Sequence, residues 1–304
     1  VLSNGLIRTV LFGNYFYGIC AVALSAEAAL QQQYPLNSFV YYIIVFSATV
    51  VYYTHAYIAE PATHTTLNAR SLWYRAHAKS VRISQVVLTL VLLVAGGYLL
   101  RQLWQPILAM HWQEWLLLLV FPLVAALYYG SVKPGAATNS LRKQGWVKPF
   151  VIGFSWAGPV TLYPLLFTDL SIGEHYQLTL VGFLLFIKNF MYITLLCIMF
   201  DIKDFAADHN QQLKTFVVEL GLRKTIFYIL IPLAAVGLGT FLLYASIRQF
   251  PVLRVLINTL PFLLLIIVAY SLHRRKNILY YLAIIDGLML VKAICGIIGI
   301  SLIK

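Results

Sequence analysis

Acidic side chains are scarce in this sequence: ten Asp and Glu among 304 residues, against 22 Lys and Arg. With 11% charged residues overall, the chain lacks the polar surface of a soluble globular domain. Cysteine is equally sparse. Cys20, Cys197 and Cys295 are odd in number and fall inside apolar runs, so they read as small packing residues, not as disulfides or metal ligands. There is no zinc-ligand spacing, phosphate-binding glycine loop, serine elbow or dinucleotide fingerprint. Nor is there an internal repeat, a low-complexity tract or a linker, so residues 1–304 are expected to form a single transmembrane domain.

What the chain has is hydrophobicity: 61% of its residues are apolar and the mean hydropathy is +0.82. Apolar stretches of about 17–25 residues are long enough to cross a bilayer as helices. Nine are predicted, at about 9–30, 37–59, 83–100, 114–130, 148–168, 177–200, 224–246, 251–272 and 278–300. The fold class is therefore an all-α polytopic membrane protein, a nine-helix bundle. Arg8, the following apolar run and Ser25-Ala26-Glu27-Ala28 imitate a signal peptide, but a first transmembrane helix is the preferred reading.

The net charge of +12 has a one-sided distribution. With the N-terminus inside, sixteen Lys and Arg lie on the inward side, from Arg8 through the connections at 70–82, 133–148, 203–224 and 274–276. Only Arg101, Arg248, Arg254 and Lys304 lie outward. This bias orients the chain with a cytoplasmic N-terminus in the inner membrane, where the charge meets anionic lipid and not nucleic acid. The inward connections at 60–82, 131–147 and 201–223 are long and polar, which places function at the cytoplasmic mouth. Pro122, Pro149, Pro159, Pro164, Pro232 and Pro261 would kink helices or end them, and Gly96-Gly97 with Gly237 and Gly239 would let helices approach closely. Both features suit a bundle with an interior cavity, and both suit ordinary packing.

Three of the ten acidic residues stand together at Asp201, Asp204 and Asp208, directly after an apolar run. In a helix these positions share one face. Carboxylates there oppose the macrodipole and repel one another unless a cation intervenes. Mg²⁺ carrying phosphate oxygens is the natural occupant at a membrane boundary.

The segment Asp201-Ile202-Lys203-Asp204-Phe205-Ala206-Ala207-Asp208, with Lys214-Thr215 and Val217 through Gly221 after it, resembles the second aspartate-rich motif of the UbiA superfamily of intramembrane prenyltransferases. The stretch 141–158 also resembles that family. The resemblance implies nine helices around a central cavity opening toward the cytoplasm, with aspartate-rich motifs after the second and sixth spans. It implies a prenyl diphosphate as substrate, ionised with Mg²⁺ on Asp201, Asp204 and Asp208, and a lipophilic acceptor such as an aromatic ring. Basic residues near the fifth span, here Lys143 and Lys148, would hold the diphosphate, and Lys203, Lys214, Arg70 and Arg75 could assist.

The sequence departs from the family after the second span, where residues 52–77 contain no aspartate. His55, Glu60 and Asn68 are all that a rewritten first motif could use. Two alternatives therefore stay open: a terpene cyclase, in which the substrate's own double bonds attack the allylic cation, and a non-catalytic prenyl-lipid binder. A transporter fits less well, because nine spans without repeat symmetry suit few such folds.

Other candidates are single residues. Lys188 lies deep in the sixth span and is either functional or paired with a structural acid such as Asp286. Lys292 is expected to snorkel and Glu27 to lie at the outward surface. Asn14 could meet a ligand or pack between helices. Tyr52, Tyr53, Tyr57, Trp156, Tyr163 and Tyr192 could line a cavity and shield a cation, or serve as interfacial bulk.

Overall fold

The computed structural model describes residues 2–59, 69–129, 145–210, 214–274 and 276–301; side chains at 2–4, 56, 59, 129 and 206–210 are left undescribed. Among these residues every regular element is helical. In lipid only a helix satisfies all its own backbone groups within one segment, so an apolar run of this length has no other stable form.

The chain opens with α1 (Leu2–Phe12) and α2 (Tyr15–Gln31), which meet at a 63° bend. α3 (Phe39–Ala59) leads to a short α4 (Ala69–Ala76) and a long α5 (Ala78–Gln102). A one-turn α6 (Trp104–Leu108) precedes α7 (Trp112–Tyr129). α8 (Lys148–Thr161) and α9 (Tyr163–Ile172) follow almost without a break, and α10 (Leu180–Asn210) is the longest element. Beyond the short turns α11 (Phe216–Leu220) and α12 (Leu222–Lys224), a wide π-type segment at Thr225–Leu230 runs into α13 (Ile231–Ile247). α14 (Val252–Ser271), α15 (Ile278–Tyr280), a second π-type segment (Tyr281–Ile285) and α16 (Gly287–Ser301) complete the chain.

Six helices among the described residues are long and apolar enough to cross a membrane, or seven if the bent α1–α2 pair is one span. The stretches Phe39–His55 and Trp112–Tyr128 are apolar over a shorter length. The chain is thus an integral membrane protein.

α10 is the most buried span and packs against α8 and α13, while α2 lies between α3 and α16. α5 sits at the edge of the bundle against α3, with none of its apolar window buried. One large core joins Leu24, Trp156, Tyr192, Ile198, Phe262 and Ile285 from five spans.

Pro149, Pro164 and Pro232 fall in first turns, where the missing N–H has no intrahelical partner to lose. Pro122, Pro159 and Pro261 lie inside helices. The glycines differ from expectation. Gly237 packs against Phe262 and Met191, but Gly96, Gly97 and Gly239 face open space and mediate no close approach. Close approach occurs instead at Gly153, where a Cβ would stand 2.2 Å from Thr194 Oγ1. That contact draws α8 onto α10, which sets the position of the site below.

Candidate functional site

The start of α8 and the last turns of α10 meet at one end of the bundle, the basic end. α10 arrives there as an unbroken helix that continues through the acidic segment, so Asp201 and Asp204 share a face as their spacing requires. Asp201 is buried, and its Oδ1 accepts from Lys148 Nζ at 2.8 Å. Its Oδ2 is also buried and has no hydrogen-bond partner. Asp204 is half-exposed and pairs with Lys203 at 3.1 Å. Asp208 lies further along the same helix, with its side chain outside the described residues. The cation that clustered carboxylates demand is supplied within this structure by lysine.

Lys148 stands at the first position of α8, and the packing at Gly153 holds that helix against α10. The loop before it is held too. A Cβ on Gly145 would lie 2.3 Å from the carbonyl carbon of Lys214, so only glycine lets the 145–147 turn rest on the 214–215 backbone. Lys214 itself is exposed. Thr215 caps α11 by accepting from Val218 N–H, and Gly221 takes a positive φ of 77° at the following break. The tail of the aspartate motif is therefore a set of caps that shape the mouth.

Three aromatic rings meet beside Asp286, which is reached through Tyr17. Tyr17 stacks on Tyr53 at 4.9 Å, Trp156 stands 5.8 Å from Tyr53 and 6.3 Å from Tyr17, and Trp156 Nε1 donates to the Tyr53 hydroxyl. Asp286 is buried within hydrogen-bond reach of Tyr17 and in the field of Arg70 and Lys203. It follows the Tyr281–Ile285 π-type segment, and its N–H reaches back five residues to the Tyr281 carbonyl at 3.1 Å. Such wide turns rotate the next side chain off the regular helical face. Asp286 was one structural partner that Lys188 could have had; Lys188 pairs with Glu27, and Asp286 belongs to the basic-end group. Its signal in sequence was an acid within an apolar run.

Arg70 and Asn14 form a brace. Asn14 adopts a left-handed conformation (φ 64°) at the α1–α2 bend, which leaves the Phe12 carbonyl without a helical donor. Arg70 Nε and Nη2 donate to that carbonyl at 3.3 and 3.1 Å, and Tyr74 Oη donates at 2.9 Å. Arg70 also donates to Asn14 Oδ1 at 2.5 Å and to the Tyr57 hydroxyl at 2.8 Å. Asn14 Nδ2 in turn donates to Thr54 and Tyr74. Burial works against the guanidinium charge, but the phenols of Tyr57, Tyr17 and Tyr74 and the Asp286 carboxylate hold its pKa above the ordinary value. Arg75 is exposed on the same short helix.

The remaining candidates separate. His55 is exposed and lines a lateral groove of about 400 Å³ between α3 and α5, with Arg82, Gln85 and the aliphatic chains of Val51, Val86 and Leu90. Glu60, Asn68 and Lys143 lie outside the described residues. Tyr52, Tyr163 and Tyr192 donate to main-chain carbonyls of neighbouring helices and act as braces.

Lys188 is far from the basic end, in an ionic cluster that corrects two expectations. Glu27 is fully buried, not at the surface, and accepts from Lys188 at 3.4 Å and from Lys292 at 2.8 Å. Lys292 does not snorkel. Gln31 joins both sides, donating to Glu27 at 2.6 Å and accepting from Lys188 at 3.1 Å.

No protein-family profile and no curated protein matches the sequence. The fold does find a match. A solved structure of a digeranylgeranylglyceryl phosphate synthase, a UbiA-superfamily intramembrane prenyltransferase, superposes with a TM-score of 0.55 over 97% of this chain and 98% of that one. The chain shares the fold of that enzyme. Sequence identity is 13%, so the likeness establishes architecture and not activity. In this UbiA-like bundle the Asp201–Lys148 pair, Asp204, Asp286 and the Tyr17–Tyr53–Trp156 rings gather at the basic end.

Proposed function

We propose that the protein is a membrane-embedded prenyltransferase-like enzyme that ionises a prenyl diphosphate and passes the prenyl group to a lipophilic acceptor. The reading rests on the UbiA-like fold together with one observation: Asp201 is buried beside Lys148 and keeps an unpartnered carboxylate oxygen. A buried acceptor without a donor is rare, and a ligand-supplied cation or donor accounts for it. The orientation follows the charge bias, with the N-terminus and basic end cytoplasmic in the inner membrane and nine spans crossing.

The residues fit Mg²⁺, which binds through one or two carboxylates plus phosphate and water. Asp201 and Asp204 would hold it, and the ion when bound supplies charge neutralisation on the diphosphate. Lys148 and Lys203 pair with those carboxylates, and their ammonium groups would stabilise charge on a diphosphate at the mouth. The rings of Tyr17, Tyr53 and Trp156 present π faces, over which a departing carbocation is stabilised electrostatically. The surrounding core keeps water from it.

The test uses full-length protein in nanodiscs with prenyl diphosphates of several lengths, with Mg²⁺ or EDTA, reading pyrophosphate and lipid products. The expected result is Mg²⁺-dependent pyrophosphate release that falls at least about 100-fold in Asp201→Asn. Release that survives both EDTA and Asp201→Asn refutes the reading. Cyclised product formed without acceptor would convert it to a cyclase, and binding without release to a lipid-binding protein.

A further inference from the structure

We propose that His111, Glu114 and His175, at the end of the bundle opposite the basic end, bind a divalent transition-metal ion of the Zn²⁺ class. These residues come from two separate connections: His111 and Glu114 open α7, and His175 lies in the loop between α9 and α10. One ligand atom from each lies within 4.8 Å of the others. Glu114 Oε2 is 3.8 Å from His111 Nδ1 and 3.1 Å from His175 Nδ1. A tetrahedral ion with bonds of about 2.0–2.1 Å sets neighbouring ligand atoms about 3.3 Å apart, between these two values. Small rotations of two exposed imidazoles close the set.

The carboxylate is already built for the role. Glu114 is 2% exposed, against 62% and 43% for the histidines. Tyr176 N–H donates to its Oε1 at 2.8 Å and His111 N–H to its Oε2 at 2.7 Å. These main-chain donors fix its orientation as outer-shell partners do in metal sites. The imidazole rings lie 3.9 Å apart, tilted by 41°, and both face one carboxylate. Two imidazolium rings at that spacing would repel, whereas two neutral imidazoles can share one cation. Two nitrogens and one oxygen favour Zn²⁺, Co²⁺ or Ni²⁺ over Mg²⁺ or Ca²⁺. Three protein ligands leave a fourth position for water. Bound there, the ion staples the α6–α7 and α9–α10 connections and fixes the end of α7, a helix of the bundle edge. The site is independent of the chemistry proposed at the basic end.

The test uses full-length protein, with any affinity tag removed and metal stripped, titrated with Zn²⁺ against a chromogenic chelator and with Co²⁺ as a spectroscopic probe. The expected result is one saturable site, a tetrahedral Co²⁺ absorption band and a melting temperature raised by Zn²⁺. His111→Ala and His175→Ala remove exposed rings and should fold, and each should weaken binding at least about tenfold. His273→Ala, an exposed histidine at the basic end, should leave it unchanged. Absence of saturable uptake, or affinity unchanged from the parent in both histidine variants, overturns the proposal, whatever the outcome of the pyrophosphate assay.

Discussion

Glu27→Gln is expected to be among the most destabilising substitutions in the bundle. Glu27 is fully buried and serves two ammonium groups, Lys292 at 2.8 Å and Lys188 at 3.4 Å. Removing one partner of a buried pair costs about 3–5 kcal/mol, because the other charge is left uncompensated. Here two charges lose their carboxylate, which points to the upper end, about 5 kcal/mol. The amide keeps an oxygen and can retain some hydrogen bonding, which brings the expectation to about 3–5 kcal/mol. The two lysines should rank by geometry. Lys292→Met leaves Glu27 its longer contact with Lys188 and should cost about 2–3 kcal/mol; Lys188→Met leaves the shorter pair intact and should cost about 1–2 kcal/mol. The assay is reversible unfolding in detergent micelles, followed by circular dichroism, with a Glu27–Lys292 double-mutant cycle. A Glu27→Gln variant within about 0.5 kcal/mol of the parent, the range of ordinary surface changes, would refute the reasoning. So would Lys188→Met proving more damaging than Lys292→Met.

Three further outcomes are expected. Arg70→Met should cost about 2–4 kcal/mol in the same assay, since it strands the buried Phe12 carbonyl and Asn14 amide oxygen, while Arg75→Met on the same short helix should be far milder. Gly145→Ala should cost about 1–3 kcal/mol and reduce pyrophosphate release, because the added methyl would meet the Lys214 backbone at 2.3 Å and push the mouth loops apart. Lys148→Met should destabilise by about 2–4 kcal/mol by leaving Asp201 buried and unpaired; the double variant with Asp201→Asn should recover stability in melting experiments without recovering turnover.

The acidic segment was readable because its logic is local. An i, i+3 spacing fixes a shared face in any helix, and α10 runs straight through it. The brace around Asn14 was not readable. Its need arises from a left-handed residue at a bend, and its remedy comes from Arg70, 56 residues later. Glu27 looked like a surface acid because nothing near it in sequence answers its charge. Its lysines stand 161 and 265 residues away. Asp286 was visible as an acid in an apolar run, but its direction depends on the π-type segment before it.

Hydropathy and spacing along the chain were enough to show that it is helical and membrane-embedded, where its apolar runs lie, and that Asp201, Asp204 and Asp208 cluster at the end of one of them. Those properties follow from hydropathy, charge and helical period, each a function of neighbours along the chain. Which charges meet emerges only in the folded bundle: Asp201 with Lys148, Glu27 with Lys188 and Lys292, Glu114 with His175. Such pairings depend on the rotation and depth of whole helices against one another. Those are set by close contacts such as Gly153 on Thr194 and Gly145 on the Lys214 backbone, which no single segment encodes alone.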